Sequence, residues 1–315
     1  MEAMLYYLAL GVIRALQALP LLWVAWLGRQ AGGLAWLLDG RHRRVALENL
    51  THAFKEEKTA PELRALTREH FRRLGENYAS AVKTASMKPA ELAPHLSFVG
   101  AERLRAASPG EIPPSRVIAI GHFGNFELYA WAGHFVGGYR MVTTYRALPQ
   151  PRLDALLLAL RQQSGCAVFE RRKQSAELFK MIQQPGLCIG LLTDQHAGRA
   201  GVWLPVFGRE CSTNPAAVVL AQRHKMPLHT AICFRTALAH WQIEVGEEIP
   251  TFLKGARRPV EDVMRDINRA FETAIRRDPA NWFWVHRRWK PKPQPETGSK
   301  NAPTACAPGD AGARP

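Results

Sequence analysis

Cysteine is scarce and unpaired in this sequence. Cys166, Cys188, Cys211, Cys233 and Cys306 make five in 315 residues, an odd number with no pair at CxxC spacing. That argues against a disulfide framework and a zinc site and predicts a reducing, cytosolic environment. Cys166, Cys188 and Cys233 lie in or beside apolar runs, where the thiol serves as a small hydrophobe. Nucleotide and zinc signatures are also missing: there is no P-loop, GxGxxG or HExxH pattern, so no cofactor or metal is expected. No GxSxG nucleophile elbow is present either. Acidic residues are in deficit, 27 Asp+Glu against 42 Lys+Arg, which leaves a formal charge of +15. A surface so basic favours anionic partners, whether nucleic acid, lipid headgroups or an acidic protein. The last lack is a clean run of about 20 apolar residues, the length a spanning helix requires.

What stands in its place is an interrupted apolar segment. Residues 4–38 are rich in Leu, Ala and Trp, but Arg14, Gln17, Arg29 and Gln30 punctuate them and Pro20 bends them. A positively charged leader is absent, so a cleaved signal peptide is not expected. The segment reads as a tilted anchor or as a helix lying in the membrane interface, and a buried core helix is the alternative. Arg41, His42, Arg43 and Arg44 follow directly, as befits the cytoplasmic side of an anchor facing anionic lipid. Residues 45–95 carry helical periodicity. Beyond residue 115, short apolar runs (117–120, 141–145, 167–169, 187–192, 228–234, 241–245) alternate with helical stretches (128–135, 153–163, 175–183, 216–223, 260–276). Such alternation predicts an α/β fold around a mostly parallel sheet flanked by helices. We therefore expect a membrane anchor or interfacial helix over 1–40, an α/β domain over 41–290 and a disordered tail over 291–315, rich in Pro, Gly and Ala.

The chemistry concentrates in Gly121-His122-Phe123-Gly124-Asn125-Phe126-Glu127. The apolar strand 117–120 ends here, which puts His122 at the C-terminal edge of the sheet, where open α/β sheets bind ligands. The spacing lets the Glu127 carboxylate reach back to an imidazole nitrogen and stabilise the imidazolium, leaving the other nitrogen as a general base. Without a serine in the motif, that base would act on a substrate hydroxyl. Taken alone, the pair is weak, since such spacings arise by chance and a lone histidine is more often structural.

Read as a whole, this motif resembles the signature of the late lipid A biosynthesis acyltransferases. They form part of the glycerolipid acyltransferase superfamily with its HxxxxD/E motif, which also includes the phosphatidylinositol mannoside acyltransferases. The usual form is HFGNWE, and Phe126 stands here for the tryptophan. The resemblance runs from about residue 5 to 290. It takes in Arg43-Arg44 with Asn49-Leu50, Tyr145-Arg146, Arg161 to Gly165, Thr193-Asp194-Gln195, Phe207-Gly208 with Ser212-Thr213, and a closing Asn281-to-Lys290 segment similar to WxWxHRRWK.

The resemblance implies transfer of a fatty acyl chain from acyl carrier protein or acyl-CoA to a hydroxyl of a lipid A precursor, at the cytoplasmic face of the bacterial inner membrane. A lysophospholipid, an ornithine lipid or a phosphatidylinositol mannoside is the alternative acceptor. It implies His122 as base and Glu127 as its orienting partner. Arg146, Arg161, Asp194 and Gln195 become substrate-binding candidates, and the backbone around Gly124 and Asn125 a candidate oxyanion donor. Arg161 and Arg146 also read as surface charges, Asp194 as a turn residue, and Trp282 to Lys290 as either an interfacial patch or core tryptophans. Two other functions compete: a hydrolase using the same dyad on water, and a basic nucleic-acid-binding protein stacking bases on its C-terminal tryptophans. The second lacks any recognition motif, and no nucleic acid partner is expected.

Overall fold

The computed structural model describes residues 2–104 and 111–292; most of the expected tail lies outside them. Pro20, extended at φ −59° and ψ 143°, splits the N-terminal apolar segment into α1 (Glu2–Ala18) and α2 (Leu21–Leu38). No helix among the described residues is long and apolar enough to cross a membrane. Asp39 starts α3 (Gly40–Phe54) by accepting the His42 amide on its side chain. A Thr59–Glu62 capping box starts the 25-residue α4 (Ala60–Thr84). A single turn, α5 (Pro89–Leu92), and a 3-10 turn over Ala93–His95 carry the helical stretch to residue 95, where the chain becomes β1 (Leu96–Val99).

The α/β alternation then unfolds largely as the periodicity predicts. In order come β2 (Arg116–Ile120), β3 (Arg140–Tyr145), α6 (Pro151–Gln162), β4 (Ala167–Glu170), α7 (Ser175–Ile182) and β5 (Leu187–Leu192). A hairpin of β6 (Val202–Val206) and β7 (Arg209–Thr213) follows, then α8 (Ala216–His224), β8 (Leu228–Ala237) and β9 (His240–Val245). A two-residue hairpin, β10 (Phe252–Leu253) and β11 (Ala256–Arg257), leads into α9 (Val260–Arg277). The helical stretch expected over 128–135 is a 3-10 helix, Phe126–His134. It is pinned from outside, by the Tyr129 hydroxyl bonded to the Ala231 carbonyl and the Cys233 amide, and by burial of Leu128 and Trp131 at three-residue spacing.

Seven strands form one sheet in the order β1-β9-β8-β2-β5-β3-β4, parallel throughout except for the β8–β9 hairpin. The sheet is therefore mixed and mostly parallel, with β2 and β5 side by side in the middle. Both faces of β2 are buried: Val117 and Ala119 belong to a core shared with α3, α4, α8, α9 and the C-terminal tryptophans, while Ile118 and Ile120 join the core under the 3-10 helix.

The apolar α2 is clamped to α4. Gly28 and Gly32 face Gly75 so closely that a Cβ on Gly32 would stand 2.1 Å from the Phe71 carbonyl oxygen. Arg29 bonds Glu69 and the fully buried Glu76, and Glu76 also takes Arg235 from β8 and the Ala239 amide. One buried carboxylate thus ties α2, α4 and the edge of the sheet together.

Candidate active site

Adjacent parallel strands end side by side at the C-terminal edge of the sheet, and each contributes one polar residue just beyond its end. β2 delivers His122 and β5 delivers Asp194. The Asp194 Oδ1 lies 2.8 Å from His122 Nδ1, and Oδ2 accepts both the His122 amide (2.8 Å) and the Trp282 indole N–H (2.8 Å). Gly121 allows this approach, since a Cβ there would come within 3.2 Å of Asp194 Oδ2. Asp194 is 3% exposed. Burial works to raise its pKa, but the charge of His122 and the hydrogen bonds from His122 and Trp282 outweigh it and hold the carboxyl below its ordinary range. The ionised carboxylate accepts the Nδ1 proton, which fixes the tautomer and leaves the lone pair on Nε2. The Gln195 amide approaches that lone pair at 3.3 Å. Phe126 and Phe283 flank the ring, with centroids 4.8 and 5.7 Å away.

The partner expected from the spacing, Glu127, is not the carboxylate on the imidazole. It forms a forked ion pair with Arg161 from the last turn of α6, with Nη2 to Oε1 at 2.6 Å and Nε to Oε2 at 3.0 Å. The reason lies in the turn. Gly124 adopts φ +51° and its amide bonds the Asn281 carbonyl at 2.9 Å, which starts the 3-10 helix with Glu127 turned toward α6. The same bond corrects a second expectation: the Gly124 N–H is already spent and is no free oxyanion donor. Asn125 is different. It is 1% exposed, and neither its Nδ2 nor its Oδ1 finds a partner among the described residues, so the amide's hydrogen-bonding capacity is unspent.

Arg146 is exposed just beyond β3, on the same sheet edge as His122 and Asp194. Asp194 is neither a cap nor a turn residue, since all its bonds serve the histidine and Trp282. The closing segment contributes from inside. Trp282, Trp284 and Trp289 are buried against one another, so they form neither an interfacial patch nor a stacking surface for bases. Asn281 bonds the Cys233 carbonyl, and Asn49 on α3 holds the carbonyls of Trp284 and His286. The sequence reading missed Trp282 as a site residue; the signal available was its place in the closing motif. Below Ile120 lies an apolar cavity of about 40 Å³ lined by Tyr129, Met141, Cys188 and Ala231 among others.

Comparison with known proteins gives the family. Residues 1–291 match the family described as bacterial lipid A biosynthesis acyltransferase. The chain is 24% identical over 298 residues to the lipid A biosynthesis palmitoleoyltransferase of Escherichia coli K12, covering 93% of each chain. It is equally similar, at the same identity and coverage, to the lipid A biosynthesis acyltransferase of Shigella flexneri. The chain belongs to the bacterial lipid A biosynthesis acyltransferase family and is an acyltransferase.

Proposed function

We propose that this enzyme moves a fatty acyl chain from an acyl carrier protein or coenzyme A thioester to a hydroxyl of a lipid A precursor at the cytoplasmic face of the inner membrane. The observation that carries the reading is the His122 ring locked through Nδ1 by a buried carboxylate, which leaves Nε2 as its basic nitrogen. Nε2 takes the proton of the acceptor hydroxyl as the oxygen attacks the thioester carbonyl. The tetrahedral oxyanion collapses, the C–S bond breaks, and the imidazolium returns its proton to the departing thiolate. Asp194 steadies the imidazolium between these steps. The Asn125 amide, buried without a partner, is the candidate oxyanion donor. Arg161 spends Nε and Nη2 on Glu127, and the pair stands as a positioning element for the phosphates of either substrate, with Arg146 beside it.

Placement at the membrane is supported by the N-terminal helices. Leu22, Trp23, Trp26, Leu34, Leu37 and Leu38 on α2 are all more than 45% exposed, a large apolar surface for a water-facing helix. With α2 clamped on α4, these side chains suit a helix lying in the interface with tryptophans at headgroup depth. The apolar cavity beside β2 is the candidate start of the acyl slot, although about 40 Å³ holds only a fraction of a long chain as it stands.

The test is mass spectrometry of membrane lipids from cells that carry the gene, lack it, or carry His122→Ala. Loss of one acyl chain from lipid A in the last two supports the proposal. An unchanged lipid A with a different lipid short of an acyl chain would move the acceptor to that lipid.

A further inference from the structure

A second cleft, of about 210 Å³, lies on the far side of the tryptophan cluster, between α3 and the closing segment. Arg209 from β7, Arg287 and Lys290 line it, against a single carboxylate, Glu48. All three cations are exposed, and none makes an ion pair with a described residue. The arginine between two of them behaves differently: Arg288 is buried and spent on Ser212 and Thr213. At the wall, His52 Nε2 is buried without a partner, while the Asn49 amide is already committed to backbone carbonyls. The cleft therefore offers a surplus of positive charge and one unanswered imidazole nitrogen.

Its position speaks for a source. α3 begins two residues after the exposed Leu37 and Leu38, and its cleft-lining positions Val45 to His52 lie roughly 8–18 Å further along the helix axis. The cleft is thus built on the helix that directly follows the exposed apolar face proposed to meet the membrane, which favours a lipid headgroup as the source of the anion.

We propose that this cleft is a phosphomonoester-binding site, separate from the His122 centre, that takes the phosphate of a lipid headgroup at the membrane surface. Three cations against one carboxylate match a dianion better than the single charge of a phosphodiester. The anion chemistry stands on the cleft alone, whereas its lipid source rests on the interfacial placement proposed above.

The test is vesicle flotation of the full-length protein. Phosphatidylcholine vesicles carry either phosphatidic acid, a phosphomonoester, or phosphatidylglycerol, a phosphodiester, at matched surface charge. The wild type is expected to prefer phosphatidic acid by roughly fivefold or more, the scale of one well-placed basic residue at a lipid surface. A triple variant, Arg209→Gln, Lys290→Gln and Arg287→Gln, should lose that preference while keeping its background binding to pure phosphatidylcholine and its circular dichroism spectrum. No preference in the wild type, or a preference that survives in the variant, overturns the lipid site. If inorganic phosphate raises the wild type's thermal midpoint but not the variant's, with no vesicle preference in either, the lipid source is wrong and the cleft takes a soluble phosphate. Thioester hydrolysis by the same preparations separates this from the proposed reaction: the triple variant should match the wild type, and only a wild type without acyl chemistry would count against the His122 reading.

Discussion

In the proposed mechanism His122 takes its chemistry from a residue 72 positions away, Asp194. Nothing in local spacing reveals this, because Glu127 is nearer along the chain and of the right type, while Asp194 comes close only because β5 docks against β2. The sequence did mark Asp194 as a polar residue at a strand end, but the pairing depends on strand order. The two carboxylates therefore separate by experiment. Asp194→Asn presents an amide N–H where an acceptor is needed and disfavours the productive tautomer, so kcat should fall by roughly 10²- to 10⁴-fold with little change in KM. Glu127→Gln leaves the imidazole as it is and weakens Arg161, so its main effect should be a raised KM. Steady-state kinetics on both variants checks this, and a kcat loss confined to Glu127→Gln would reverse the two roles.

At the scale of elements, the strands were legible where four to six apolar residues run between turn residues, as in Val117–Ile120 and Leu187–Leu192. The β6–β7 hairpin was not, since Pro205 and the charged Arg209 and Glu210 break the apolar pattern that marks a strand. The apolar content of α2 was plain, but its clamp on α4 was not, because it depends on Gly28, Gly32 and Gly75 meeting across 43 residues or more of sequence. The clamp makes a stability prediction. Glu76→Ala leaves Arg29 and Arg235, both largely buried, without their shared carboxylate. Breaking a buried pair from one side typically costs about 3–5 kcal/mol. A denaturant-unfolding comparison should find a loss of that order, and a loss under 1 kcal/mol would show that the network does not hold α2 in place.

For the whole molecule, charge and pH matter together. His70, buried on α4 where its ring meets the Ala280 carbonyl, is pushed down to about 4, chiefly by burial. The unfolded chain takes up this proton near pH 6.5 and the folded protein only near pH 4. Stability is therefore complete above pH 6.5 and falls steadily as pH drops from 6.5 toward 4, by about 2 kcal/mol at pH 5 from this group. Unfolding at pH 7 and pH 5 checks it: His70→Gln should flatten the slope by that amount, and identical slopes in the two proteins would refute it. At the same scale, Trp23→Ser with Trp26→Ser should cut sedimentation with phosphatidylcholine vesicles several-fold without altering the fold. Undiminished sedimentation would place the membrane contact elsewhere.

The central claim is that a single imidazole nitrogen removes the acceptor proton. Its most direct test is the rate of acyl transfer from a thioester to the lipid acceptor by purified, folded His122→Ala. The account predicts a fall of at least about 100-fold, and a variant that keeps a tenth of the wild-type rate would contradict it.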